Sequence, residues 1–317
     1  MNGTQRRLSH LRVVSAADVH GARAAGGADE LPRRLVVAAI GIPTALAVVD
    51  AGGWVLAAAA AALAGGGCLE ICRLARYREV RPFTLAACAA AAGLPLIAAA
   101  RPTLEDAAPW MWTLTLLLLM GSAVAAVWRR GAYGQPLEVV AVTVMAAVFT
   151  GGPLAFVLFL RHLPVRPDHY GGVAAMALFP LALAWSADSA AYAAGRAFGH
   201  RRLTRVSPGK TWEGAAAGLA ACTAAGWVYA TVVLPPGAGF TGWLGALAGA
   251  LVSAGGLAGD LAKSAWKREA GVKDSGRVFP GHGGILDRMD STFYALPIVY
   301  ALAVLASAMM NRAMMFE

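Results

Sequence analysis

The chain has 317 residues, 58% of them hydrophobic and only 14% charged, and its mean hydropathy is +0.58. A soluble domain carries roughly a quarter charged residues, so a water-soluble globule is excluded and the bilayer must solvate most of the chain. The net charge of +9 then requires either an anionic partner or an asymmetric membrane topology.

The first 32 residues are polar and small, and no apolar core of signal-peptide length follows Arg6 and Arg7. Residues 1–32 therefore read as a disordered cytosolic tail. Runs long enough to cross about 30 Å of hydrocarbon, at roughly 20 residues each, then recur at 35–51, 53–71, 83–100, 110–128, 137–160, 172–194, 212–234, 243–262 and 291–310. They predict an all-α, polytopic membrane protein of about nine transmembrane helices, forming one helical domain over 33–317. Gly52 and Gly53 between the first two runs suggest a tight helical hairpin. Cys68, Cys72, Cys88 and Cys222 all lie in apolar stretches, where cysteine behaves as a small hydrophobe, so neither a disulfide framework nor a zinc site is implied.

The loops set an orientation. With the N-terminus in the cytosol, 23 of the 27 Lys and Arg residues fall on the cytosolic side, and only Arg101, Arg161, Arg166 and Arg312 fall outside. A miscounted helix would scramble this alternation, so the asymmetry supports both the number of spans and the orientation. Topology thus accounts for the positive charge without a nucleic-acid partner.

Charges inside or beside apolar spans cost roughly 2.5–3.5 kcal/mol at a helix centre, which makes each a functional candidate. Asp188 sits in the sixth span within Ala-Trp-Ser-Ala-Asp-Ser, about 9 Å from its cytosolic end at 1.5 Å per residue. A carboxylate bonded to a neighbouring Ser or Tyr is the plainer alternative. The next loop carries Ser207, Pro208, Gly209, Lys210, Thr211, Trp212, Glu213 and Gly214. It is not a P-loop, because Thr204 stands where the upstream glycine is required and no strand precedes it. Lys210 beside a helix N-terminus is still a plausible phosphate seat, and simple capping is the competing reading.

The eighth span ends in Asp260, Ser264, Lys267 and Arg268. At 100° per residue, Asp260, Ser264 and Lys267 fall within about 60° of one another on one helix face. Lys273, Asp274, Ser275 and Gly276 follow, then Phe279, Pro280, Gly281, His282, Gly283 and Gly284, then Asp287, Arg288, Met289 and Asp290. A glycine-rich turn lets backbone approach an anion closely, and the flanking Lys and Arg would neutralise it. Asp260 and Asp287, returning from adjacent helices to one membrane face, could hold Mg²⁺ together with substrate phosphate oxygens. N-capping of the ninth helix is the alternative for Asp287 and Asp290.

The stretch from Ser264 to Asp290 resembles the signature of the phosphatidate cytidylyltransferase, or CDP-diacylglycerol synthase, family. Its fixed positions appear as Ser264, Lys267, Arg268, Lys273, Asp274, Gly276, Phe279, Pro280, His282, Gly283, Gly284, Asp287, Arg288 and Asp290. The similarity extends upstream to Gly259 and Asp260, to Ser207 through Gly214, and to Asp188, Ala191, Tyr192, Gly195 and Arg196, so it covers roughly 180–291. Trp266 departs from the aliphatic or Phe usual in the family but keeps the apolar character.

The resemblance implies a CTP:phosphatidate cytidylyltransferase of phospholipid biosynthesis, a multi-pass enzyme of the cell (inner) membrane with its active site on the cytosolic face. It also implies a homodimer and a dinuclear metal centre around Asp260 and Asp287, Mg²⁺ with a second cation. The expected roles are metal binding by Asp260 and Asp287, with Asp188 as a third carboxylate. Lys210, Lys267, Arg268, Lys273 and Arg288 would bind triphosphate or lipid phosphate, while Ser207, Ser264 and His282 orient oxygens. A CTP-dependent enzyme with another lipid acceptor shares these motifs. A transporter would also carry an intramembrane Asp188, but it would place its charges near the midplane and show an inverted repeat.

Overall fold

The computed structural model describes residues 27–163, 172–234, 238–276 and 283–315. Among them are nine α-helices: α1 (Gly27–Ala51), α2 (Gly53–Arg76), α3 (Thr84–Ala100), α4 (Leu104–Arg130), α5 (Pro136–Arg161), α6 (Gly172–Phe198), α7 (Trp212–Val228), α8 (Gly242–Glu269) and α9 (Ile285–Met315). No strand occurs among the described residues; one isolated antiparallel bridge joins Arg202 to Thr211. Seven of the helices, α2 and α4 to α9, are long and apolar enough to cross a membrane, and Ala39–Ala51 of α1 and Thr84–Ala100 are shorter apolar helices. The predicted all-helical, polytopic architecture is therefore present. Residues 1–26 of the predicted tail lie outside the described residues, and α1 begins at Gly27.

The chain divides at Thr44. The described residues before that point are the first part of α1, where Thr44 donates its hydroxyl to the Ile40 carbonyl one turn back. Ala45–Glu317 forms a compact unit of its own.

Within that unit α2, α3 and α5 pack together with α4 against α3 and α5, while α6, α7 and α8 pack side by side. Helix α9 touches α8, α5, α6 and α2, so it joins the two groups. Phe293, Leu296 and Leu286 of α9 are fully buried in this seam, and Phe149 of α5 meets the rings of Trp266, Phe293 and Tyr294 edge-on at 5.1, 5.6 and 6.2 Å.

The abundance of Ala and Gly has a packing cause. Lipid tails are as apolar as Leu, so helices in a bilayer associate through close backbone approach and van der Waals contact instead of water exclusion. In α7 the buried positions are Gly214, Gly218, Cys222 and Gly226, a row spaced by four residues that makes one stripe along the helix. A Cβ on Gly226 would collide with the carbonyl of Gly245 in α8, and one on Gly249 with the carbonyl of Cys222. The tight approach of α7 to α8 exists because those positions lack side chains.

Besides the start of α1, two helix starts differ from the hydropathy reading. The fourth helix-forming run starts early: α4 begins at Leu104, where the Thr103 hydroxyl accepts the Asp106 N–H at 3.2 Å and caps it. Helix α9 begins at Ile285, not near 291, so Asp287 and Asp290 lie in its first turns. The Asp290 capping alternative does not hold, since the residue is inside the helix and buried.

Candidate active site

Four chain segments meet at one end of the helices: the end of α2, the loop into α7, the end of α8 and the start of α9. The loop before α7 is fixed by backbone pairing, with Leu203 N–H donating to the Lys210 carbonyl at 2.8 Å and Trp212 N–H to the Arg201 carbonyl at 3.0 Å. Thr211 caps α7 by accepting the Gly214 N–H at 3.1 Å. These bonds leave the Lys210 side chain directed at Asp260 on α8, with Nζ 2.7 Å from Oδ2.

Asp260 is one of three carboxylates gathered on Lys263, a lysine one turn further along α8 and 4% exposed. Its Nζ lies 3.0 Å from Asp260, 3.4 Å from Asp287 and in direct contact with Asp290. Lys267, a further turn along, reaches Asp287 Oδ1 at 2.8 Å. The other oxygen of Asp287 accepts the Ser275 N–H at 3.1 Å, the Ser275 hydroxyl at 2.9 Å and the Gly284 N–H at 3.3 Å. Gly283 has φ +81°, and a Cβ there would stand 2.9 Å from that same oxygen, so both the backbone turn and the carboxylate require glycine.

Asp188 completes the set from α6: the Ser291 hydroxyl of α9 lies 3.0 and 3.2 Å from its two oxygens. Beside it is a small cleft walled by α6, α7, α8 and the start of α9. Its polar side chains are Asp188, Lys210, Ser253 and Ser291, and its apolar lining includes Ala184, Val252 and Leu257. Among the described residues no three His, Cys, Asp or Glu side chains form a ready-made metal ligand set.

A protein-family model of the cytidylyltransferase family matches residues 32–306. The chain belongs to the cytidylyltransferase family. It is similar to the phosphatidate cytidylyltransferase of Synechocystis sp., 32% identical over 302 residues that cover 88% of this chain and 98% of the relative. The enzyme of the same name from Haemophilus influenzae is 39% identical over 199 residues, 61% of this chain and 65% of the relative. That from Brucella suis is 47% identical over 124 residues, 39% of this chain and 44% of the relative.

Set in this cytidylyltransferase, the residues singled out by sequence distribute as follows. Asp260, Asp287, Lys210 and Lys267 form one ion-pair network, with Asp188 adjacent through Ser291. Ser264 is buried on α8 and Ser207 is half-buried in the loop before α7. Arg268, Lys273 and Arg288 are exposed around the same helix ends. His282 lies outside the described residues.

Sequence reasoning passed over four members. Lys263 counted only as topological charge, although it stands on the face of Asp260, three residues away. Asp290 has a place in the family signature and capping as its alternative but no role in the site, and neither Ser275 nor Glu70 is singled out. Glu70 is 1% exposed in α2, where it accepts the N–H groups of Ile285 and Leu286 and the hydroxyl of Ser275, each at 2.9 Å. A lone acidic residue in an Ala- and Gly-rich span was the available signal, by the same cost argument that picked out Asp188.

Proposed function

We propose that the chain is a CTP:phosphatidate cytidylyltransferase, in which a phosphate oxygen of phosphatidate attacks the α-phosphorus of CTP. A new P–O bond forms, the bond to the bridging oxygen of the β-phosphate breaks, and CDP-diacylglycerol and pyrophosphate result. The observation carrying this reading is the gathering of Asp260, Asp287, Lys210 and Lys267 at one end of the helices, beside a cleft with an apolar wall. In this reading the polyanion binds at the charged end and the lipid phosphate approaches along the apolar wall. The attacking phosphate is already ionised at neutral pH, so the protein's work is positioning and charge neutralisation.

The donors suit a hard cation. Asp260 and Asp287 both lie against the Lys263 ammonium and so belong to one carboxylate cluster, and Mg²⁺ is commonly held by one or two carboxylates plus substrate phosphates. Bound there, it would supply charge neutralisation across the triphosphate oxygens. Lys210 and Lys267 hold the two carboxylates and have the reach to move onto phosphate oxygens. Arg268, Lys273 and Arg288 ring the same opening and would extend the cationic surface, with Ser207, Ser264 and His282 available to orient oxygens. Lys263 is different: its stem is buried and its ammonium holds Asp290 as well. In this reading it stands where a second cation would otherwise balance the carboxylates, so one divalent ion per chain is expected.

The charge asymmetry of the loops supports a cytosolic position for this face, in the inner membrane of a bacterium. A homodimer belongs to the same reading by family resemblance. The test is Mg²⁺-dependent pyrophosphate release from CTP by the purified chain, with and without phosphatidate, alongside Asp287→Asn. Turnover that needs phosphatidate and falls by at least about 100-fold in the variant, the scale of losing one electrostatic stabiliser, supports the assignment. A folded chain that is inert with phosphatidate but active with another lipid phosphate moves the acceptor and keeps the chemistry.

A further inference from the structure

Among the described residues, the carboxylate of Glu70 is the one buried acidic group at this end of the helices that comes from the N-terminal group, and the proposed reaction gives it no role. It lies 205 residues from Ser275 and 215 from Ile285 in the chain. One oxygen accepts the Ile285 N–H, and the other accepts the Leu286 N–H and faces the Ser275 hydroxyl. Ile285 and Leu286 are the first two residues of α9, whose N–H groups have no partner within the helix, so Glu70 caps α9 from another helix and adds negative charge where the helix dipole favours it.

Two glycines confirm how closely the chain wraps this group. A Cβ on Gly276 or on Gly284 would collide with the Glu70 carboxylate itself. The small residue after Ser275 and the second glycine before α9 are thus the space that Glu70 occupies. Ser275 then connects it to the site, because its hydroxyl is 2.9 Å from both Glu70 Oε2 and Asp287 Oδ2. A hydroxyl has one proton to give, so the two carboxylates are linked through a shared donor.

We propose that Glu70 is a positioning residue of the active site: it fixes the start of α9 and, through Ser275, the placement of the Asp287 carboxylate. This rests on the reading of Asp287 as a cation and nucleotide ligand. Glu70 touches no substrate; it sets where Asp287 stands. The N-terminal half is thereby part of the site and not only its membrane anchor.

The experiment compares Glu70→Gln with wild type as full chains in detergent, measuring Mn²⁺ affinity by EPR with and without CTP, kcat and KM per folded chain, and the melting temperature. Gln offers one acceptor oxygen and turns an N–H₂ group toward backbone donors, so the clasp is broken. Removing an outer partner of a metal ligand lowers metal affinity or turnover by about 10–100-fold, and that loss per folded chain is the expected result. A purely structural role would lower the melting temperature and the folded fraction but leave Mn²⁺ affinity and kcat per folded chain at wild-type values, and this outcome overturns the proposal. Should Glu70→Gln not fold, Ser275→Ala decides, since it keeps the helix cap and the Ser275 N–H bond to Asp287 and removes only the hydroxyl that joins Glu70 to Asp287. Weakened Mn²⁺ affinity at an unchanged melting temperature supports the link, and unchanged affinity refutes it. A wild-type chain that binds Mn²⁺ and CTP yet makes no product sinks the reaction assignment, while the affinity ratio between wild type and variant still decides the role of Glu70.

Discussion

Replacing Lys263 by Met keeps an unbranched apolar stem, shorter by the terminal nitrogen, and removes the charge that three carboxylates share. The ammonium touches Asp260 at 3.0 Å, Asp287 at 3.4 Å and Asp290 directly, and only 5% of the side chain is exposed. Solvent screening is therefore slight, and removing one partner of a buried ion pair costs about 3–5 kcal/mol because the other charge is left uncompensated. Three carboxylates left facing one another put Lys263→Met at the upper end of that range. The deficit has a specific remedy, since a divalent cation can occupy the vacated place. Binding to the native state stabilises by about 2.7 kcal/mol at a ligand concentration 100 times its dissociation constant. Unfolding monitored in detergent should show the variant much less stable than wild type in EDTA, with about half of the gap closed by Mn²⁺ at 100 times its dissociation constant. Mn²⁺ bound per chain should rise from one in wild type to two in Lys263→Met. A variant that unfolds with wild type in EDTA, or a wild-type chain that binds two ions, would refute the argument that the ammonium serves as an internal cation.

Lys210→Met removes the 2.7 Å partner of Asp260 at the mouth of the cleft; KM for CTP should rise about tenfold or more, the scale of a lost charged hydrogen bond at about 1.5–3 kcal/mol, and steady-state kinetics over a CTP series would reveal it. Gly226→Ala sets a methyl against the Gly245 carbonyl, and separating α7 from α8 should cost about 1–3 kcal/mol, the usual scale of overpacking. Because α7 and α8 carry the elements holding Lys210 and Asp260, kcat should fall with the melting temperature, and wild-type turnover in a destabilised variant would show that the helix spacing does not tune the site.

Much of the site could be read from the chain itself. Asp188, Asp260 and Asp287 stand out because a carboxylate in an apolar run is costly and needs a compensating role, and the alternation of basic loops brings the ends of α6 and α8 and the starts of α7 and α9 to one side. Helical periodicity likewise put Asp260 and Lys267 on one face, where the structure has both in a single network. Periodicity acts within one element, however, and says nothing about which element lies opposite. Lys263 was indistinguishable from the other basic residues of its loop until Asp287 and Asp290 were seen across from it on α9. Asp290 looked like a cap because the start of α9 was placed near 291; capping by Glu70, which lets the helix begin at Ile285, is a contact between residues more than 200 positions apart.

The sequence alone determined that this is a helical membrane protein, which charged residues stand out as candidates for a site, and that its basic residues alternate between loops, because hydropathy, residue cost and charge bias are local quantities. Only the tertiary structure decided which carboxylate meets which lysine, and that an acidic residue of α2 holds the start of α9. Those pairings depend on how close the glycine- and alanine-lined helices come to one another, and that distance is a property of the packed bundle.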